Sequence, residues 1–441
     1  MAKTYDTYKD SGIAWIGNIP SEWKTCRIKD TSLLFTGNSI KDEEKDFFQD
    51  MNEARPYIAT KDIDATYMSA NYNNGLYIKH TDCNFRIAPP SSTLMCIEGG
   101  SAGRKKAFID REVSFVNKLC CFAPFEGVYG KYIYYFLCSP NFEDIFNSKI
   151  TGLIGGVNIP TLKNIECLLP SISEQKAIAT YLDKKCGEIN SLISLQEEMI
   201  SELQAYKQSI ITEAVTKGLD SNVPMKDSGV EWIGMIPEGW KILRLRTLGN
   251  CQNGISKGGE YFGDEFDFPF VNYTDAYKNI DVPYPEGRAN STEEDRKQYS
   301  LIEGDILFTR TSETIDEIGY ASTCTQTIPN AVFSGFLIRF RPTGKELYYG
   351  FSKYYFRSSI HRAFFVKEMN LVTRASLSQN LLKNLPTLIP PLSEQQAIAS
   401  YLDEKTSQID SLIAIKQEKI TELKDYKKSI IYEYVTGKKK V

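Results

Sequence analysis

The segment Ser173–Thr216, SEQKAIATYLDKKCGEINSLISLQEEMISELQAYKQSIITEAVT, returns as Ser393–Thr436, SEQQAIASYLDEKTSQIDSLIAIKQEKITELKDYKKSIIYEYVT. In the first copy Leu182, Lys185, Ile189, Leu192, Gln196, Met199, Leu203, Tyr206 and Ile210 advance in alternating threes and fours. In the second, Leu402, Lys405, Ile409, Leu412, Lys416, Lys419, Leu423, Tyr426 and Ile430 do the same. That spacing lays one mostly apolar seam along a helix, as in a coiled coil. Such a helix would be about 65 Å long at the α-helical rise. A rod of that length does not fit inside one globular core, and alone its seam would be wet, so the two copies are predicted to pair. The expected interface is Leu182, Ile189, Leu192, Leu203, Tyr206 and Ile210 on one helix with Leu402, Ile409, Leu412, Leu423, Tyr426 and Ile430 on the other. Gln196 is matched in the repeat by Lys416, and Met199 by Lys419. The simplest reading of those lysines is an exposed flank, with Ile193, Ile200, Ile413 and Ile420 making up the apolar contact.

A second repeat stands well ahead of each helix. Lys9–Lys24, KDSGIAWIGNIPSEWK, and Lys226–Lys241, KDSGVEWIGMIPEGWK, agree at eleven of sixteen positions. Ser-Gly, Trp-Ile-Gly and Ile-Pro are turn signals. All four tryptophans of the chain, Trp15, Trp23, Trp232 and Trp240, lie here and are predicted to anchor the segment by burial. Between motif and helix, residues 25–172 and 242–392 share only landmarks. Thr36-Gly37 matches Asn253-Gly254, Pro56-Tyr57-Ile58 matches Pro269-Phe270-Val271, and Tyr135-Phe136 matches Tyr355-Phe356. Simple drift would have worn the frame as much as the inserts. A constant frame carrying two domains of one fold suits domains that read different targets.

Each insert reads as mixed α and β. Strand-like runs cover Ser92–Ile97, Val113–Ala123, Asp305–Thr309 and Phe333–Phe340; helical runs cover Lys131–Leu137, Glu143–Asn147 and Leu347–His361. Ser173 and Ser393 are expected to cap the long helices, Ser393 with Gln396 as a capping box. Gly218 and Gly437 are expected to end them. The fold class is therefore α+β, with two mixed domains joined by two long helices in an antiparallel coiled coil and related by an approximate two-fold axis. The predicted division is 1–172 for the first domain, 173–217 for its helix and 218–225 for a linker. Residues 226–392 form the second domain, 393–437 its helix and 438–441 a basic tail.

The 441 residues, 42% hydrophobic and 12% aromatic, suit several folded units without long disorder. No apolar leader and no run of about 20 apolar residues is present, so the chain is read as cytoplasmic. Ten cysteines without a CxxC pair make neither a disulfide framework nor a zinc site. With His80 and His361 as its two histidines, histidine-based metal or triad chemistry is nearly excluded. No phosphate loop, no GxGxxG opening a helix, no HExxH or GxSxG, and no Asn/Asp-Pro-Pro-aromatic motif of an amino-methyltransferase is found. A non-catalytic chain is expected.

The net charge of −4 argues against an all-over nucleic-acid surface, but cations are clustered. Ile97–Arg111, IEGGSAGRKKAFIDR, offers Ser101, Arg104, Lys105 and Lys106 on a glycine-rich loop that could approach a phosphate backbone. The matching place in the second insert is Phe308–Glu313, where Arg310 could read a guanine edge. Lys61 and Thr274 occupy equivalent turns, Thr60-Lys61-Asp62 and Tyr273-Thr274-Asp275. The stretch Phe336–Arg374 mixes cations with tyrosines and adds Lys367 and Arg374; Lys257 completes the candidate DNA contacts. The alternative reading of such cations is a solvated helix face.

The motif SG-x-x-WIG-x-IP-x-x-W, a variable domain, then P-x-x-SEQ-x-AIA-x-YLD opening a long helix, all in duplicate, resembles the specificity subunit of type I restriction-modification systems over essentially the whole chain. The resemblance implies a DNA-reading subunit without catalysis of its own, each insert contacting one half of a split double-stranded site. It implies two methyltransferase subunits, which carry S-adenosylmethionine, and restriction (translocase-nuclease) subunits, which use ATP and Mg. This chain itself would bind no cofactor. The alternative reading is a coiled-coil scaffold whose variable domains bind other proteins.

Overall fold

The strand that follows each tryptophan motif pairs with the strand that leads into each long helix, and this closes each domain. The computed structural model describes residues 4–152, 154–312, 317–368 and 375–441. In it Lys24–Arg27 runs antiparallel to Glu166–Leu169, and Lys241–Arg244 to Pro386–Ile389. The chain divides into two compact units, Met1–Glu198 with Lys416–Val441, and Met199–Ile415. The units cut the long helices, Ile172–Lys217 and Leu392–Val435, near their middles, because each helix gives one half to each unit.

In the first unit a four-stranded antiparallel sheet has the order Lys106–Ile109, Ser92–Cys96, Leu119–Pro124, Ser32–Thr36. A second sheet runs Tyr77–Lys79, Ala54–Ile58, Val113–Phe115, Ile87–Ala88, with the middle pair parallel. Ile58, Leu94, Ile109, Phe115 and Cys121 pack together as the shared core. The second unit repeats the plan. Gly249–Asn253, Leu337–Pro342, Ile306–Thr309 and Ala321–Thr323 form one antiparallel sheet. Arg288–Ala289, Phe268–Val271 and Val332–Phe333 form the other, again with one parallel pair.

The long apolar runs each break in two. Val113–Phe115 and Leu119–Pro124 belong to different sheets, as do Val332–Phe333 and Leu337–Pro342. The two halves of each run are buried between packed sheets, which is why they show no alternation, while Asn117, Lys118 and Phe336 at the crossings are exposed. The helical run at 347–361 is likewise interrupted, ending as Tyr349–Arg357 before a 3-10 turn at Ser359–His361 and a further helix at Arg362–Glu368. The Gly37 and Gly254 landmarks have a steric cause. A Cβ on Gly37 would overlap the Phe115 carbonyl, and one on Gly254 the Ser334 carbonyl.

The repeated sequence maps onto repeated bonds. Trp23 Nε1 donates to Glu174 Oε2 at 3.0 Å, and Trp240 Nε1 to Glu394 Oε2 at 3.0 Å. Buried Gln175 accepts from Tyr129 N at 2.8 Å, and buried Gln395 from Tyr348 N at 2.8 Å. Asp183 accepts from the Tyr135 hydroxyl at 2.8 Å, and Asp403 from Tyr354 at 2.7 Å. These bonds pair Tyr135 with Tyr354 rather than with Tyr355, a one-residue correction to the sequence alignment. The helix starts are also corrected. Ser173 and Ser393 lie inside the first turn, and Ser171 Oγ takes the Glu174 N–H at 3.3 Å. Gly218 and Gly437 follow the helix ends with φ of 79° and 69°.

The helices run antiparallel within each unit. In the first, Tyr181 packs on Tyr434 (ring centroids 4.4 Å), Asn190 Oδ1 accepts from Lys427 Nζ at 2.8 Å, and Gln196 meets Lys416 at 3.5 Å. In the second, Lys207 Nζ donates to the Asp410 carboxylate at 2.6 and 2.7 Å. Of the expected interface residues, Leu182, Ile189, Ile210, Leu402, Ile409 and Ile430 are buried and Leu203 and Leu423 half-buried. Leu192, Tyr206, Leu412 and Tyr426 are corrected, since they are 47%, 58%, 47% and 57% exposed. The seam instead uses the next column. Cys186, Ile193, Ile200 and Lys207 on one helix, and Thr406, Ile413, Ile420 and Lys427 on the other, turn inward.

The tail is not a free basic arm. Lys438 Nζ donates to the Ile16 and Asn18 carbonyls at 3.1 and 2.6 Å, and Lys439 pairs with Glu433 at 2.7 Å.

Candidate nucleic-acid interface

In the first domain the glycine-rich connection between Ser92–Cys96 and Lys106–Ile109 turns sharply, with Gly99 and Gly103 at φ of 82° and 72°. A Cβ on Gly103 would press to 2.5 Å from the Phe146 ring, so the loop must carry glycine there. The turn exposes Arg104, whose guanidinium folds back to the Gly100 carbonyl, and leaves Ser101 half-buried. Lys105 is half-buried and donates to the Thr60 carbonyl at 2.9 Å. That bond ties the loop to the turn carrying exposed Lys61, so Lys61 and Arg104 sit on adjoining segments. Lys106 is corrected. It is 1% exposed, paired with Glu143 at 2.8 Å and set over the Phe142 ring at 5.8 Å, and it cannot reach DNA.

In the second domain Lys257, Thr274 and Arg310 share one cleft of about 540 Å³, with Ser256, Asn272 and Phe336 among the other lining residues. Thr274 is exposed, its hydroxyl donating to Asn272 Oδ1 at 2.6 Å. Asn272 N donates to Asp275 at 2.9 Å as Ala59 N does to Asp62 at 2.8 Å, so the turns carrying Thr274 and Lys61 correspond. Lys257 reaches Asp295 at 2.8 Å and lies over the Tyr261 ring at 4.2 Å. Phe336, 60% exposed, was not singled out by sequence; an aromatic after Ser-Gly at the end of an apolar run gave no distinctive signal. Lys367 does not line this cleft; it is exposed, 3.7 Å from Glu231. Arg374 lies outside the described residues.

Most cations of the basic-aromatic stretch hold the domain together. Arg341 closes on Asp305 at 2.6 and 2.7 Å, and Lys353 on Asp403 at 2.7 Å. Arg357 donates to the Ala276, Ala321 and Tyr277 carbonyls, Arg339 to Ser300 and Gln252, and Arg362 to Ile318. Burial pulls the Arg339 and Arg357 guanidiniums below arginine's ordinary range. They are structural donors rather than a DNA surface.

The two domains also correspond at the backbone position that follows Ser92–Cys96 in one and Ile306–Thr309 in the other. Ile97 N donates to Lys118 O at 3.0 Å and Ile97 O accepts from Val157 N at 3.0 Å. Arg310 N donates to Phe336 O at 2.9 Å and Arg310 O accepts from Leu377 N at 2.7 Å. One backbone position thus carries isoleucine in one domain and arginine in the other.

A family model described as the type I restriction modification DNA specificity domain matches residues 20–204 and again 237–425. The chain belongs to this family. Both matched segments run from the end of a tryptophan motif well into a long helix, so the specificity-domain unit coincides with the repeat. Among its relatives, the type I restriction enzyme StySPI specificity subunit of Salmonella potsdam is 24% identical over 449 residues, 96% of this chain and 90% of that protein. The MjaVIII specificity subunit of Methanocaldococcus jannaschii is 23% identical over 438 residues, 96% of this chain and 94% of its own length. A solved chain from work on complex assembly and conformational transition of the type I R-M system shares the fold. Its TM-score is 0.71 at 16% identity, covering 95% of this chain and 98% of that one.

No described helix is long and apolar enough to cross a membrane. Among the described residues no group of three or more His, Cys, Asp or Glu side chains is placed to hold a metal ion.

Proposed function

We propose that this member of the specificity family reads a bipartite duplex DNA site, one half-site per domain, for a restriction-modification complex whose chemistry is done by partner subunits. The observation that carries this is the pairing of constant frame with changed content. The Trp–Glu, Gln–backbone and Asp–Tyr bonds recur in both repeats, while Ile97 and Arg310, Lys61 and Thr274 differ at matched positions. Two surfaces set on one repeated frame but different in chemistry suit two different half-sites. The chain is read as non-catalytic and cytoplasmic, with no cofactor of its own. Burial pushes the Cys121 and Cys186 thiols up to about 12, far from nucleophilic thiolates. S-adenosylmethionine would be carried by two methyltransferase subunits, and ATP with Mg by restriction subunits.

The residues freed from the seam support two equivalent docking surfaces. In the first unit Leu192 and Leu195 are 47% and 48% exposed, and the Asn190–Lys427 bond brings Tyr426 level with them. In the second unit Leu412 and Ile415, 47% and 61% exposed, lie level with Tyr206 through Lys207–Asp410. Exposed apolar groups repeated in this way suit one kind of partner bound twice.

The test is to map N6-methyladenine across the host genome with the gene intact, deleted, and carrying an exchanged 25–172 segment. Deletion should erase methylation at one bipartite motif, and exchange should alter one half of that motif. An unchanged pattern on deletion would refute the reading.

A further inference from the structure

Resting on that reading, the geometry points to Arg310 as the residue that recognises a guanine in the half-site of the second domain. Its main chain is held on both sides by Phe336 and Leu377, so the side chain leaves from a fixed point. Nη1 is anchored on the Gly335 carbonyl at 3.3 Å. Nε is buried and has no acceptor, and Nη2 makes no hydrogen bond among the described residues. The guanidinium is therefore pinned at one corner while its Nε/Nη2 edge is left without an acceptor among the described residues. Among the described residues no carboxylate lines the cleft, whereas Arg341 closes on Asp305 and Arg357 on three carbonyls.

A buried N–H without an acceptor destabilises the free protein, so the arrangement makes sense if a ligand supplies one. The unpaired edge carries two parallel donors, the geometry that matches O6 and N7 of guanine in the major groove. A phosphate would also accept from it, but Phe262, Phe270 and Phe336 wall the cleft. The first two rings lie 4.4 Å apart. Apolar walls suit the flat edge of a base better than a hydrated phosphate. In the first domain the same backbone place carries Ile97, which has no side-chain donor, so this contact belongs to one half-site alone.

The experiment uses this chain assembled with its methyltransferase subunits and duplexes bearing the mapped site. Each guanine of the second half-site is replaced in turn by 7-deazaguanine, which removes the N7 acceptor and little else. One position should weaken binding roughly ten-fold or more, and Arg310→Ala should abolish that dependence. Arg310→Lys keeps the charge without the fork, so it should retain most overall affinity and lose the preference for guanine at that position. The assignment is overturned if the half-site holds no guanine, or if the unaltered complex is indifferent to every replacement. It is also overturned if Arg310→Ala keeps the same dependence. Should Arg310→Ala fail to fold, the replacement series on the unaltered protein and Arg310→Lys still decide the matter. A methylation pattern that needs this chain but not Arg310 removes this assignment alone; one that ignores deletion of the gene removes the specificity reading itself.

Discussion

The indole of Trp23 donates to the carboxylate of Glu174 across the whole first insert, and Glu174 also accepts from the Tyr5 hydroxyl at 2.6 Å. Trp23 is completely buried. The motif at the start of each repeat is therefore fastened to the first turn of the helix at its end, with the variable domain held between them. This is why two short sequence motifs so far apart repeat together. Neither can change without stranding the other.

Glu174→Ala would leave a buried indole N–H with no acceptor and should lower stability by about 1–3 kcal/mol. Glu174→Gln keeps an acceptor at the same reach and should lose less. Denaturant unfolding of the two variants checks the order; equal losses would remove the hydrogen bond as the cause. The same order is expected for Glu394→Ala and Glu394→Gln, through Trp240.

The helix seam separates neighbouring residues of similar character. Leu182 and Ile193 are fully buried, while Leu192 is 47% exposed. Leu182→Ala or Ile193→Ala should cost about 2–5 kcal/mol, and Leu192→Ala should stay within about 0.5 kcal/mol in the isolated chain. Thermal unfolding should show the contrast, and a large loss from Leu192→Ala would restore the seam expected from the heptads.

That seam marks how far the sequence can be read. Leu182, Ile189, Gln196, Leu203 and Ile210 are common to the expected and observed seams, because either spacing passes through them. Between them the chain offers Leu192 beside Ile193, and apolarity alone does not choose. The observed choice brings Lys207 to Asp410 and Lys427 to Asn190, pairings that exist only once both helices are in place. Lys106 was misread for a related reason. A cation in a glycine-rich run looks exposed until Glu143, on a helix 37 residues later, turns inward to meet it. The duplicated frame was legible because its partners repeat with it. Arg310 was legible as a candidate, but its unpaired edge was not, since Gly335 and the aromatic walls come from elsewhere in the chain.

Lys106 and Arg104 should consequently behave in opposite ways. Lys106→Ala removes the partner of a half-buried carboxylate and should appear as lost stability. Arg104→Ala should leave unfolding unchanged and, if Arg104 meets a phosphate, reduce the slope of log binding constant against log salt by about 0.9. Salt titration of the assembled complex separates the two; an unchanged slope would take Arg104 out of the interface.

His361 gives the second domain an acid limit. It is buried, its Nε2 lies 3.0 Å from the Tyr355 carbonyl, and Nδ1 has no partner among the described residues. Burial pushes its pKa down to about 4 from 6.5. The folded state thus binds fewer protons than the unfolded state between those values. The contribution is complete above about pH 6.5 and declines as pH falls toward 4, by up to about 3 kcal/mol. His361→Gln should flatten that part of the stability profile relative to the unaltered chain. A parallel profile would place the acid sensitivity in other groups.

The exposed helix positions make the sharpest test of partner docking. Leu195 and Ile415 are equivalent in the repeat and lie outside the seam, so a charge there should not disturb the isolated chain by more than about 0.5 kcal/mol. A glutamate buried against an apolar partner surface has no such latitude, because its carboxylate would lose water without gaining a cation. Leu195→Glu or Ile415→Glu should each reduce bound methyltransferase from two copies to one, and the double variant should bind none. Native mass spectrometry of the reconstituted complex counts them directly. If the double variant still binds both copies while the single chain melts normally, the partners dock elsewhere. The exposed leucines would then mark a different surface.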